Sequence, residues 1–251
     1  MISPLSMPCW PHAELLQPEM TNPDGSMPEP TQFPRLTPWR RFLAWMNMLF
    51  VDHSMFRFFF NTRHAIASDC YRSSHPMPYQ LRAAQRAGVR SVLSLRGDET
   101  HIGSNVLEIE TCRDIGLVLK HEPIGSRDPP EREQILRIKR HFDELPRPLL
   151  LHCKSGADRA GLVSAIYLLV EKKQPLAVAM RELSLLRHGH VHQAQTGVLD
   201  HFLECYGEHQ RAHGTEFMDW IEHHYDREAV RASFHSNWWA NKLVNGILRR
   251  E

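Results

Sequence analysis

From residue 65 onward, short apolar runs alternate with stretches whose apolar residues recur at helical spacing. Residues 65–71 read as extended. Residues 78–87 read as a helix that stops at Gly88. Val89, Val92, Leu93 and Leu95 lie in a run rich in β-branched residues, the pattern of a buried strand over 89–95. A helix over 105–115 ends at Gly116, and a strand over 117–124 follows. Ile135, Ile138 and Phe142 share one face of a helix over 130–145, which Pro129 and Pro130 introduce. A strand over 148–152 and an apolar helix over 160–170 complete the alternation. Such alternation implies a mainly parallel sheet with helices on both faces. The expected fold class is α/β: a small twisted, mainly parallel sheet flanked by helices, with a helical C-terminal extension.

After Gln174 the spacing is helical only, over 175–186, 198–210 and 216–224, with a further amphipathic stretch at 238–250. Upstream, Trp39, Phe42, Leu43, Met46, Leu49 and Phe50 fall at helical spacing within 37–60, and Thr37-Pro38 is a suitable helix start. This segment reads as a helix packed on the domain. A helix lying in a membrane interface, anchored by Trp and Arg, is the alternative. Residues 1–36 hold eight prolines and no sustained apolar period, and read as a disordered tail. The expected division is a tail at 1–36, a helical segment at 37–61, a main domain at 62–211 and a helical extension at 212–251. No internal repeat is visible.

Composition narrows the function classes. At 251 residues, 42% hydrophobic and 24% charged, the chain is that of a soluble globular protein with a sizeable core. A net charge of +1 says nothing about nucleic acid, but the absence of a long Lys/Arg run disfavours a general polyanion binder, and no nucleic-acid partner is expected. The five cysteines are scattered, with no C-x-x-C pair. That disfavours a disulfide framework and points to a reducing, cytoplasmic setting. The N-terminus lacks the basic start and apolar run of a signal peptide.

Candidate chemistry concentrates where the strand over 148–152 runs into the helix over 160–170. Between them stand His152, Cys153, Lys154, Ser155, Gly156, Ala157, Asp158, Arg159 and Ala160. A loop there turns backbone N–H groups inward at the positive end of a helix, which makes a concave anion site. Gly156 allows the bend where a Cβ would intrude. Arg159 can grip two oxygens of a tetrahedral dianion, which a lysine cannot. A cysteine in such a site is a nucleophile, because helix N-termini and cations stabilise the thiolate that attacks. His152 is expected to orient the Cys153 region by hydrogen bonding.

The string His-Cys-Lys-Ser-Gly-Ala-Asp-Arg at 152–159 resembles the His-Cys-x5-Arg signature of the protein tyrosine phosphatase superfamily. Tyr71-Arg72-Ser73-Ser74-His75-Pro76, followed by Val92-Leu93-Ser94-Leu95-Arg96-Gly97, resembles the start of its compact bacterial dual-specificity-like branch. The resemblance spans roughly residues 65–170. It implies a phosphatase domain over 62–211, a phospho-cysteine intermediate on Cys153, Arg159 as phosphate clamp, and no metal or cofactor. A rhodanese-like sulfur carrier is disfavoured, because its loop is typically one residue shorter.

The family's general acid is usually an aspartate, and two are available. Asp128 lies in a loop before Pro129, at a family-like separation from Cys153 that is on the short side. Asp158 lies inside the phosphate loop beside Arg159, as in some bacterial and lipid-directed relatives. Asp128 ranks slightly higher. Ala160 departs from the pattern: the family usually has Ser or Thr there, and that hydroxyl helps release the thiol. Its loss is expected to slow turnover more than phosphate binding, which leaves a low-turnover phosphate-binding protein as an alternative. Lys154 adds charge that suits highly anionic substrates. The expected partners are therefore a phosphorylated protein or, alternatively, a phosphoinositide or lipid headgroup, with a peripheral membrane contact left open and the oligomeric state unassigned. His188, His190 and His192 are weak as a metal site, with no carboxylate nearby. Gln193 or Gln195 is a candidate for placing water.

Overall fold

A computed structural model of the chain describes residues 35–50, 63–97, 102–184 and 197–234. Residues 1–34, residues 51–60 of the expected N-terminal helix, residues 188–195 and the amphipathic stretch expected at 238–250 lie outside the described residues.

Five strands form one sheet in the order β1-β2-β5-β3-β4: β1 (His64–Ala67), β2 (Cys70–Ser74), β3 (Ser91–Ser94), β4 (Val118–His121) and β5 (Leu149–Cys153). β1 pairs antiparallel with β2, and the other three pairings are parallel. The extended stretch expected over 65–71 is thus a hairpin, turned at Ser68-Asp69. That turn carries neither Gly nor Pro, which is why the spacing alone reads as one strand.

β5 lies at the centre, and all five of its residues are buried. Because side chains alternate across a strand, its Leu149, Leu151 and Cys153 enter one core while Leu150 enters the other. The first core is closed by α4 (Arg132–Glu144), α5 (Asp158–Val170), α7 (Gly197–His213) and α8 (Phe217–His223). The second lies under α1 (Pro38–Phe50), α2 (Pro78–Arg86) and α3 (Gly103–Ile115). Phe217, Trp220, Tyr225 and Val230 belong to the same core as β5 and α5.

α1 packs on the domain through Leu43, Ala44 and Met48. Arg41 pairs with Glu110 of α3 through two hydrogen bonds, of 2.9 and 2.7 Å. Trp39, Phe42 and Phe50 stay exposed. No described helix is long and apolar enough to cross a membrane.

Most expected helices differ in their bounds by a few residues, and two of the differences bear on the site. α5 begins at Asp158, so Asp158 and Arg159 sit in its first turn. The helix expected over 175–186 is a short α6 (Leu176–Ala179) that tightens into a 3-10 turn, Met180–Leu183. There the Glu182 carbonyl accepts a hydrogen bond from Arg72 of β2, so tertiary structure captures an acceptor the helix would use.

Candidate active site

The parallel register aligns Ser94, His121 and His152, so the C-terminal ends of β3, β4 and β5 share one edge of the sheet. The loops that leave this edge, as in other open α/β sheets, are the natural place for a ligand. Cys153 is the last residue of β5, and Ala157 precedes the first turn of α5. The loop between them folds back on its own sulfur. The Gly156 N–H donates to Cys153 Sγ at 3.2 Å. Gly156 has φ +79°, and a Cβ there would lie 2.6 Å from the Ser74 amide nitrogen. Any other residue would push the loop off β2.

Cys153 is buried, whereas Lys154 and Ser155 are exposed and Asp158 and Arg159 are partly exposed. The Arg159 guanidinium donates from Nη1 to the Leu95 carbonyl at 3.2 Å, at the end of β3. That bond uses one donor of five and fixes the plane of the fork. Ala157 and Ala160 are buried beneath the loop. The loop residues expected to act together, from His152 to Ala160, are therefore contiguous in space as well as in sequence.

Asp128 lies on the loop between β4 and α4, at the same sheet edge, and pairs with Arg231 at 3.3 Å. Both side chains are about half exposed. β4 is two strands from β5, a separation of roughly 10 Å, so this loop approaches the cysteine from the β4 side. Asp158 approaches from within the loop.

Behind the loop lies a buried polar layer that sequence reasoning missed. His152 Nε2 stands 2.6 Å from Glu108 Oε1, and both side chains are fully buried. Glu108 Oε2 is 3.7 Å from His75 Nε2. Burial pushes the Glu108 carboxyl up, but the charges of His152, His75 and His121 outweigh it and hold the group down at about 2. His75, Glu108 and His152 bring their ligand atoms close enough for a metal ion. The surrounding hydrogen bonds argue against that use. Arg96 Nη1 lies 3.2 Å from His75 Nδ1 and can only donate, while His75 Nε2 faces the Ser104 carbonyl at 3.2 Å and must donate to it. His75 then spends both ring nitrogens on the Arg96 and Ser104 neighbours, leaving no lone pair aimed at a metal. Ser104 and Glu108, four apart on α3, form a polar stripe on one helix face; that spacing was the available signal.

A second buried group is Arg72 on β2, which contacts the phosphate loop from beneath. Its position inside Tyr71-Arg72-Ser73-Ser74 was visible, but its partners, 84 or more residues away, were not.

A family model described as "Polymorphic toxin system, DSP-PTPase phosphatase" matches residues 66–173. No curated protein matches. Among solved structures, a glycine-to-alanine mutant form of Tk-PTP is 25% identical, covering 59% of this chain and 97% of its own, with a TM-score of 0.46. TpbA from P. aeruginosa is 18% identical, covering 69% and 90%, with a TM-score of 0.46. A cysteine-to-serine variant of TpbA, described in complex with pTyr, gives 18%, 69%, 90% and 0.45. The matched segment runs from β1 to just past α5 and includes the whole loop from Cys153 to Arg159. Residues 66–173 are thus similar to a cysteine-based phosphatase domain of the dual-specificity type within the protein tyrosine phosphatase superfamily.

Proposed function

We propose that this protein hydrolyses phosphate monoesters on tyrosine, or on serine and threonine, of a phosphorylated protein, through a phospho-cysteine intermediate on Cys153. One observation carries the reading: Cys153 ends the central strand with a backbone N–H aimed at its sulfur, and Arg159 stands in the first turn of the following helix. In the first step the Cys153 thiolate forms a sulfur–phosphorus bond as the ester oxygen–phosphorus bond breaks. Arg159 and the loop amides hold the equatorial oxygens, which is where fixed donors contribute most. Asp128 gives the leaving oxygen its proton. In the second step the same carboxylate takes a proton from water, which attacks phosphorus and frees the thiolate.

The exposed Lys154 and the placement of Asp158 beside Arg159 favour a second reading, a phosphoinositide or lipid headgroup as substrate. Ala160, with no hydroxyl next to Arg159, favours a third, slow release of the intermediate. A panel of phosphotyrosine, phosphoserine and phosphothreonine peptides and phosphoinositide vesicles separates the first two. A burst of one equivalent from an aryl phosphate identifies the third.

The mechanism is tested by Cys153→Ser and by acid quench. The serine variant should fold and lose aryl phosphatase activity, because an alcohol is a far weaker nucleophile than a thiol or thiolate. Quenched wild-type protein should carry phosphate on the Cys153 peptide in mass spectrometry. Full turnover in the serine variant would refute the mechanism.

A further inference from the structure

Arg72 is among the largest side chains in the molecule that are wholly enclosed. It reaches two segments far from it in sequence. Its Nη1 donates to the Glu182 carbonyl at 2.7 Å and to Glu182 Oε2 at 2.9 Å. Its Nη2 donates to the carbonyls of Gly156 at 2.6 Å and Ala157 at 2.9 Å. A buried charge is costly unless it is paired and its donors are used. Here one carboxylate and three carbonyls meet those needs.

The two loop carbonyls have a consequence for the anion site. A trans peptide is planar, and its C=O and the next N–H point in opposite directions. Drawing the Gly156 and Ala157 carbonyls inward to Arg72 turns the N–H groups of Ala157 and Asp158 outward. The Ala157 N–H accordingly faces the exposed Ser155 hydroxyl at 3.3 Å. A tetrahedral oxyanion placed at the loop would meet donors already aimed at it, with no carbonyl presenting a negative end.

We propose that Arg72, braced by Glu182, is a positioning residue that fixes the outward aim of the Ala157 and Asp158 amides. This rests on the reading of the 153–159 loop as an oxyanion site. Gly161 fits the same design. A Cβ there would lie 2.8 Å from the Glu182 carbonyl oxygen and 3.3 Å from Arg72 Nη2, so only glycine lets the turn at 180–183 close over the guanidinium. Cys153 and Asp158 are also near enough to act electrostatically on Arg72.

The test uses the full chain with tungstate as a phosphate mimic. Tungstate dissociation constants, kcat for p-nitrophenyl phosphate and Tm are measured for wild type, Arg72→Lys, Arg72→Met and Glu182→Gln. Ile138→Ala, in the core of α4, serves as a control for lost stability alone. Lysine cannot serve four acceptors, so Arg72→Lys should weaken tungstate binding by about tenfold or more, and Arg72→Met by more still. Glu182→Gln keeps the backbone contact and should lose about threefold. Ile138→Ala should lower Tm while holding tungstate affinity within about twofold.

A folded Arg72 variant that binds tungstate within about twofold of wild type would overturn the proposal. Should neither Arg72 variant fold, Glu182→Gln decides alone, and wild-type affinity in that variant overturns it. Wild-type protein that binds tungstate but hydrolyses nothing refutes the enzymatic reading, with the positioning role still read from the affinities. Wild-type protein that binds no tungstate overturns both.

Discussion

Glu108 and His152 meet at 2.6 Å in full burial, one residue before Cys153. α3 thereby grips the strand that carries the nucleophile through a buried carboxylate–imidazole contact. Removing one member leaves the other enclosed without its partner, which costs far more than the pair itself contributes.

Glu108→Gln should therefore destabilise the protein at neutral pH by about 3 kcal/mol. The effect has a pH signature. The folded carboxyl lies at about 2, below its ordinary 4.5. A group depressed in this way stabilises fully above its unfolded value and loses that contribution as pH falls through its folded value. The gap in urea stability between wild type and Glu108→Gln should narrow steadily from pH 4.5 toward pH 2. A gap independent of pH would show that the pairing contributes nothing electrostatic.

Arg159→Lys should lower kcat/KM for an aryl phosphate by a factor on the order of 100, with Tm little changed. In the wild type Nη1 bonds the Leu95 carbonyl, and the other donors of the fork stay oriented. One ammonium can take either the carbonyl or the phosphate, and it lacks the planar spacing for two oxygens. A lysine variant within about threefold of wild type would remove Arg159 from the clamp role.

Much of this arrangement is legible in the sequence. The run Leu149-Leu150-Leu151 must be a buried strand, and Gly156 and Arg159 at their offsets mark a loop that wraps an anion. The helix faces of Ile135, Ile138 and Phe142 also follow from spacing. What escapes is long-range polar pairing. Glu108 looks like an ordinary helix-surface carboxylate, since nothing local shows that α1 covers one side of α3 and the sheet the other. Arg72 looks like a strand-end cation, since its partners at 156, 157 and 182 come from chain segments that only folding brings together. The turn at Ser68-Asp69 escapes for a different reason: the Asp69 carbonyl accepts from Leu149 N, so β5 helps fix a bend that the local sequence does not signal.

Ala160 offers a gain-of-function test. It is fully buried in the first turn of α5, so a threonine methyl would overpack the site, whereas serine adds one oxygen. Ala160→Ser should shorten the life of the phospho-cysteine by about threefold to tenfold, by giving the departing thiolate a hydrogen-bond donor. Rapid-quench measurement of the intermediate reads this directly. An unchanged lifetime would mean that the missing hydroxyl has no bearing on release.

The two aspartates are separated by how their loss depends on the leaving group. Asp128 is a half-exposed loop residue whose pairing with Arg231 at 3.3 Å is a surface contact of little energy. Such a pair can be broken cheaply when substrate enters from the β4 side. Asp158 is built into the first turn of α5, where a carboxylate also complements the helix dipole. If Asp128 is the acid, Asp128→Asn should cut kcat for alkyl phosphates by roughly 100-fold and for p-nitrophenyl phosphate far less, since nitrophenolate departs without a proton. Arg231→Ala should then be nearly silent, because it frees a carboxylate that must move in any case. Asp158→Asn should lower kcat by a factor that ignores leaving-group pKa, as expected of a group that shapes the loop. Measured as two Brønsted slopes, these outcomes do not overlap. A steepened slope in Asp158→Asn with an unchanged one in Asp128→Asn would transfer the acid role into the loop. It would also favour the highly anionic lipid headgroup over the phosphopeptide, because an acid beside Arg159 leaves the β4 side of the site free for a bulkier, more charged substrate.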